Sequence, residues 1–453
     1  MPHASHLLPS LSRLALVSLT LVFSGAAPAQ QRCSDQDGTT LTPPPRDASL
    51  LETSQVDPRV KLQELVQTAL SRSRPIGAVR LLAQAAEADL AETKAQRLPT
   101  VALGGTLAYS GLMDRGETIS RGMLGKGSLS ISAPLYDFGR IGKLTEWRQQ
   151  LAEAARFGQS SAEEQLALQT VTLALDRGRY QLQAQVYGQY VRKMSCLVEA
   201  LETITKADKG RASELVQAQK SMQQAELSYE QTVSALRQTE VRLRRFVGDD
   251  LPRSSSMSSV LTTVPDVNQM QADVLLAADV AQAAAQAKAQ YNYAESVQAG
   301  QKPSVNLLVS GSTSAGQSRQ TDWQGGVSLN IPLYQPGADA ALTSALRRAQ
   351  SANLQRDEAI ESKRYRVLEM HEAAGSALDR ARRIVEILRN SDRVRASTLQ
   401  QWQQLGRRSL FDVMAAEGDY YSMRIAHVNA IYDAQQVVAI MWSQGRGVMT
   451  PLR

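Results

Sequence analysis

Aromatic side chains are scarce in this 453-residue chain: they make up 5% of it, with 5 Phe and 4 Trp. So few large side chains cannot fill the thick cores of the two or three globular domains that the length would otherwise allow. Ala, Gln, Ser, Leu and Arg dominate long tracts instead, a composition that makes extended helices. Long apolar runs are missing too. Beyond the N-terminus no stretch reaches the roughly 18 apolar residues of a membrane helix, so entry into a membrane would have to be by strands. Charge of one sign is not in excess either. The 50 basic residues face 44 acidic ones, a mixed, solvated surface that argues against a nucleic-acid-binding stripe.

Chemistry-bearing motifs are equally sparse. Of the 4 histidines, His3 and His6 precede the mature chain expected below. His371 and His427 stand far apart on helical patterns, with no His-Glu-x-x-His arrangement. The two cysteines, Cys33 and Cys196, lack metal-ligand spacing. Gly125-Lys126-Gly127-Ser128 lacks the glycine pattern of a phosphate loop. Carboxylates recur on repetitive helices, where they partner Arg and Lys rather than act as acid–base couples. No catalytic residue, metal or cofactor is therefore expected.

What is present begins with an export signal over residues 1–29. Arg13 precedes an apolar run from Leu14 to Phe23, and Ala27-Pro28-Ala29 supplies a small-x-small cleavage site, so the mature chain is expected to start at Gln30. An exported chain meets an oxidising compartment, where an even cysteine count permits one disulfide. Cys33–Cys196 would tie an extended, Pro-bearing segment, 30–57, to a long helix. Gln30-Gln31-Arg32 lacks the apolar-small pattern that precedes a lipid-modified cysteine.

Two hairpins organise the rest. In 127–137, Leu129, Ile131, Ala133 and Leu135 alternate with Ser128, Ser130, Ser132 and Pro134; in 325–334, Val327, Leu329, Ile331 and Leu333 alternate with Gly326, Ser328, Asn330 and Pro332. Upstream partners lie at 100–110, where Val101, Leu103, Leu107 and Tyr109 share one face, and at 304–314, where Leu308 breaks an otherwise similar pattern. A period of two means strands with one apolar side. Each has roughly the 9 to 11 residues that cross a bilayer when tilted. Four strands cannot close, because small barrels start at about eight, so several chains must share one barrel. The polar, glycine-bearing stretch 111–126 reads as the first hairpin loop.

Helical patterns fill the remainder. They run over 58–71, 75–97, 140–209 and 211–247, then, after a Ser-rich linker at 251–265, over 266–301, 338–405 and 409–443, with a tail at 446–453. The 70-residue tract would reach roughly 105 Å. Its lower part carries a coiled-coil seam of Tyr187, Tyr190, Met194, Leu197, Leu201 and Ile204. Pro99, Pro134, Pro303 and Pro332 mark the junctions between strands and helices. Pro134 and Pro332 are 198 apart, while Gly210 and Gly406, like Ser213 and Ser409, are 196 apart. Such near-constant offsets mean a tandem duplication of 58–250 in 266–445. Two shorter helices end to end would match each long one.

With Arg97-Leu98-Pro99-Thr100 before strand one, Ile331-Pro332-Leu333-Tyr334 after strand four, and Gly406-Arg407-Arg408-Ser409-Leu410-Phe411-Asp412-Val413 at the second turn, the chain resembles the TolC family of outer-membrane channels. The resemblance covers nearly everything from residue 58 and is closest to the type I secretion branch. It implies an α+β membrane fold: four transmembrane strands per chain in a 12-stranded barrel of a homotrimer, with coiled-coil helices forming a periplasmic tunnel. It further implies outer-membrane lipid around the barrel, and a periplasmic adaptor and an inner-membrane transporter, of ABC type, at the other end. Asp412 matches a family acidic gate position and Arg408 the basic one; Ala415 and Val216 depart from the other acidic positions, with Glu214 a candidate substitute for the latter. Gly210, Arg211, Ser213, Gly406, Arg407 and Ser409 match the tip turns where adaptors dock. The function implied is the passive exit duct of a type I protein secretion system; the alternatives are the outlet of a multidrug or metal efflux pump, and a soluble periplasmic scaffold, which would have no use for one-sided hairpins.

Overall fold

The computed structural model describes residues 57–114, 117–251, 260–316, 319–405 and 408–452. The expected signal peptide, the segment with Cys33, most of the linker, and Gly406 and Arg407 lie outside the described residues. Two short helices open the fold, α1 (Pro58–Arg72) and α2 (Arg74–Ala95). They are separated only by Ser73, whose hydroxyl accepts the Ile76 N–H at 3.3 Å and so restarts the helix. The first hairpin follows as β1 (Thr100–Asp114) and β2 (Glu117–Tyr136). Long helix α3 (Arg140–Ala207) turns through a short 3-10 segment, Lys209–Arg211, into α4 (Ala212–Val247).

The second half repeats this order. Helices α5 (Val267–Asp273) and α6 (Ala278–Gly300) lead to β3 (Ser304–Ala315) and β4 (Gln320–Asn330). Then come α7 (Ala338–Leu405) and α8 (Leu410–Ser443). Both long helices have 68 residues, as a duplication requires. At 1.5 Å per residue each extends about 100 Å.

The long helices have shorter ones beside them. Arg156 reaches Glu87 of α2 at 2.7 Å and Arg177 reaches Glu240 of α4 at 3.0 Å, so α2 and α4 line successive parts of α3. The main core gathers at mid-height: Leu62 and Val66 of α1, Val171 and Leu175 of α3, Leu243 of α4, Tyr432 and Val438 of α8, and Val448 and Leu452 of the tail. A second core at the lower end joins Met194, Leu197 and Leu201 of the expected seam to Leu399, Leu410, Val413 and Met414.

Three expectations are corrected. Within the expected loop 111–126, residues 111–114 and 117–126 are strand, because β1 and β2 stay paired up to Asp114 and Glu117. Strand β4 starts at Gln320 and ends at Asn330, leaving Ile331-Pro332-Leu333-Tyr334 outside the ladder; a proline ring offers no N–H to extend it. The helix expected over 266–301 is broken at Ala277, which is extended (φ −65°, ψ 135°). The break lets Met270, Val274, Ala277 and Val280 all bury against Val367 and Met441, a demand of packing that no Gly or Pro announces.

Candidate functional site

The sheet is ordered β1-β2-β3-β4, so β2 pairs with β3 and joins the two hairpins. Residues directly opposed in an antiparallel ladder share a face, and the register therefore separates two surfaces. One carries the rows Val101–Ile131–Val309–Gly325, Leu103–Leu129–Gly311–Trp323 and Ala133–Leu307–Val327. The other carries Ala102–Ser130–Ser310–Gln324 and Gly104–Ser128–Ser312–Asp322. Leu308, the exception in the pattern, lies opposite Ser132 and Gly326 on this polar face.

The apolar face is uncovered in a single chain. Leu103 is 84% exposed and Trp323 85%. From Val101 to Tyr109 it runs about 27 Å along the strand, the scale of the lipid-facing band of a membrane barrel. The outer edges of β1 and β4 have no strand partner among the described residues. A greasy, open, four-stranded sheet is stable only where lipid covers the face and other strands cover the edges.

The expected proline junctions hold the sheet to the helices in different ways. Pro99 and Pro303 stand immediately before β1 and β3. Pro134 lies inside β2, where the ladder to β3 shifts register between Pro134 and Tyr136, as expected of a residue without a donor. The chain then turns through Phe138 (φ 52°) and Gly139 (φ 84°). The Asp137 carboxylate accepts the N–H groups of Gly139 at 3.1 Å and Ile141 at 2.6 Å, capping α3. Gly337 (φ 87°) makes the matching entry to α7.

At the opposite end are the tip turns. Asp208 accepts the Gly210 N–H at 3.0 Å, and Arg211 stands 3.8 Å from Asp208 and 4.0 Å from Glu214. Ser213 is exposed in the first turn of α4. At the second turn Ser409 and Asp412 form a reciprocal capping box, each side chain accepting the other's backbone N–H at 3.2 Å. Arg408 lies 3.9 Å from Asp412. Glu214 thus pairs with Arg211 of its own turn, and no ion pair joins it to Arg408 within the described chain. Cys196 is buried on α3.

One constellation above this tip was not foreseen. Glu417 is 0% exposed, with its carboxylate 3.5 Å from Lys193 of α3 and 3.7 Å from Arg395 of α7. Tyr190 and Tyr421 lie against each other beside it, ring centroids 4.9 Å apart and planes tilted by 34°. Burial, with the nearby Glu417 charge second, pushes the Tyr421 hydroxyl up to about 12. A signal was available: Leu410, Val413, Met414 and Tyr421 define a buried face of α8, and Glu417 falls on it.

Among the described residues no His, Cys, Asp and Glu side chains gather as a metal site, and no helix is long and apolar enough to cross a membrane. Comparison with known proteins agrees with this division into sheet and helices. A family model described as outer membrane efflux protein matches residues 65–249 and 271–440. The structure of CusC superposes with a TM-score of 0.76 at 19% identity, covering 87% of this chain and 92% of that one. The outer membrane protein VceC of Vibrio cholerae gives 0.75 at 16% identity, covering 85% and 97%. The open-state outer membrane channel MtrE of Neisseria gonorrhoeae gives 0.74 at 17%, covering 86% and 89%. A search of curated proteins finds no match.

Proposed function

The chain belongs to the outer membrane efflux protein family, and from that premise we propose that it is the passive exit duct of a tripartite export machine. Three copies complete a 12-stranded barrel in the outer membrane, and their helices form a tunnel through the periplasm. The observation that carries this is the open sheet with one greasy face, set at the end of helices about 100 Å long. A periplasmic adaptor engages the tip turns at Gly210, Arg211, Ser213, Gly406, Arg407 and Ser409, and an inner-membrane transporter supplies the energy.

Asp412 is the gate residue in this reading, with Arg408 3.9 Å from it and Glu214 assigned to the same gate from the first turn. Three Asp412 carboxylates converging near the trimer axis repel one another and attract cations. The capping box does not compete with this role, since it leaves the side chain 46% exposed. Trimers of Asp412→Ala in planar bilayers should conduct more, or lose block by polyvalent cations; conductance and block equal to wild type would remove the assignment.

For the cargo, the Gly406-Arg407-Arg408-Ser409 turn favours protein secretion with an ABC-type transporter. The family description, outer membrane efflux protein, favours the alternative, the outlet of a multidrug or metal efflux pump. Deleting the gene separates the two: loss of an exported protein with unchanged susceptibility supports secretion, and hypersusceptibility with an intact exported set supports efflux. A disulfide between Cys33 and Cys196 belongs to the same proposal, and two thiols alkylated without prior reduction would exclude it.

A further inference from the structure

Helices α3 and α8 are joined by polar pairs that follow one antiparallel register. From mid-height downward these are Asp176 with Gln436 at 2.7 Å, Arg179 with Asp433 at 3.0 Å, Gln183 with Asn429, Gln189 with Arg424, and Lys193 with Glu417 at 3.5 Å. The first three steps down α3, of 3, 4 and 6 residues, are met by steps of 3, 4 and 5 back along α8, and the last, of 4 residues, by one of 7. The ladder spans about 25 Å of helix and links the first repeat to the second.

Its last pair differs from the others. Glu417 is wholly buried and Lys193 nearly so, and Arg395 brings in α7 from the second side. Arg395 is itself held by Asp392 at 2.9 Å and lies 4.6 Å over the Tyr420 ring. Gly418 leaves room for the Tyr190 hydroxyl, which would stand 3.4 Å from a Cβ there. Below this point the contacts between the coils change character. Met194, Leu197, Val198 and Leu201 meet Leu399, Leu410, Val413 and Met414, with Met222 packed against them.

Apolar surfaces rich in methionine re-pack with little preference for one register. A buried carboxylate between two cations is the reverse case. Sliding α8 by one turn, about 5.4 Å, would carry the carboxylate out of reach of Lys193 and leave buried charge uncompensated. We propose that Lys193–Glu417 is the register pin closing the polar zipper between α3 and α8, and so marks the boundary between a fixed tunnel wall and a tip free to move. The pin is a property of this chain's packing; only its consequence for passage rests on the gate reading above.

Hydrogen exchange of detergent-solubilised, full-length trimers tests the pin. In Lys193→Met the amides of 194–201 and 410–416 should exchange about tenfold faster. Those of 166–175 in the mid-height core should not change, and Lys193→Arg should restore protection. The neutral triple variant Lys193→Met, Arg395→Met, Glu417→Gln leaves no buried charge, the Asp392 carboxylate being half exposed, and should assemble while exchanging fast at the tip. Wild-type protection of the tip in either variant, or an equal rise in 166–175, overturns the proposal. Asp412→Ala with raised conductance beside an unchanged Lys193→Met tip would defeat the pin alone; the opposite pattern would defeat the gate assignment alone.

Discussion

Glu164 shows how one residue can hold a chain terminus. Its carboxylate accepts the Val448 N–H at 2.5 Å, and Gly447 adopts φ 100° beside it. A Cβ at 447 would stand 2.5 Å from the carboxylate, so glycine is required there for both space and backbone conformation. The contact seats Val448 and Leu452 in the mid-height core. Burial raises the Glu164 carboxyl above its ordinary value, against the Val448 N–H and the Lys363 charge. A carboxyl raised by folding favours the native state below its unfolded value and loses that contribution as pH rises through the folded one. Glu164→Gln keeps an acceptor for Val448 without the buried charge. Its thermal midpoint should therefore exceed wild type at pH 8 and match it near pH 4; a lower midpoint at pH 8 would show that the charge stabilises. None of this was readable beforehand, since nothing near Glu164 in sequence indicates Val448.

Among the elements, the strands were the more legible. Alternation located all four, because lipid on one side and water on the other select opposite chemistry every second residue. It failed at 111–114 and 117–126, where the paired strands carry little alternation. The faces can be told apart by experiment. An arginine on the lipid side at bilayer mid-depth costs about 2–4 kcal/mol, whereas one on the lumen side is tolerated. Leu103→Arg should lower the yield of folded trimer in outer-membrane fractions, and Ser130→Arg should leave it near wild type. Equal yields would mean that the register has been assigned to the wrong surfaces. Helix ends were read closely where a cap marked them, as at Ser409. The break at Ala277 was missed because tertiary packing overrode local helix preference.

At the scale of the whole molecule, the sequence by itself determined the order of the elements, their duplication and the need for partner chains. Those properties reside in local periods and in landmarks at near-constant offset, and both survive in a list of residues. The structure alone decided which residues meet across the two repeats. The zipper from Asp176–Gln436 to Lys193–Glu417 joins positions more than 220 apart, and Glu214 pairs within its own turn instead of with Arg408. Whether two distant polar side chains face each other depends on the rotation and register of helices about 100 Å long. A slip of one residue turns a helical side chain by about 100°, and no local pattern records which rotation the packed coils adopt.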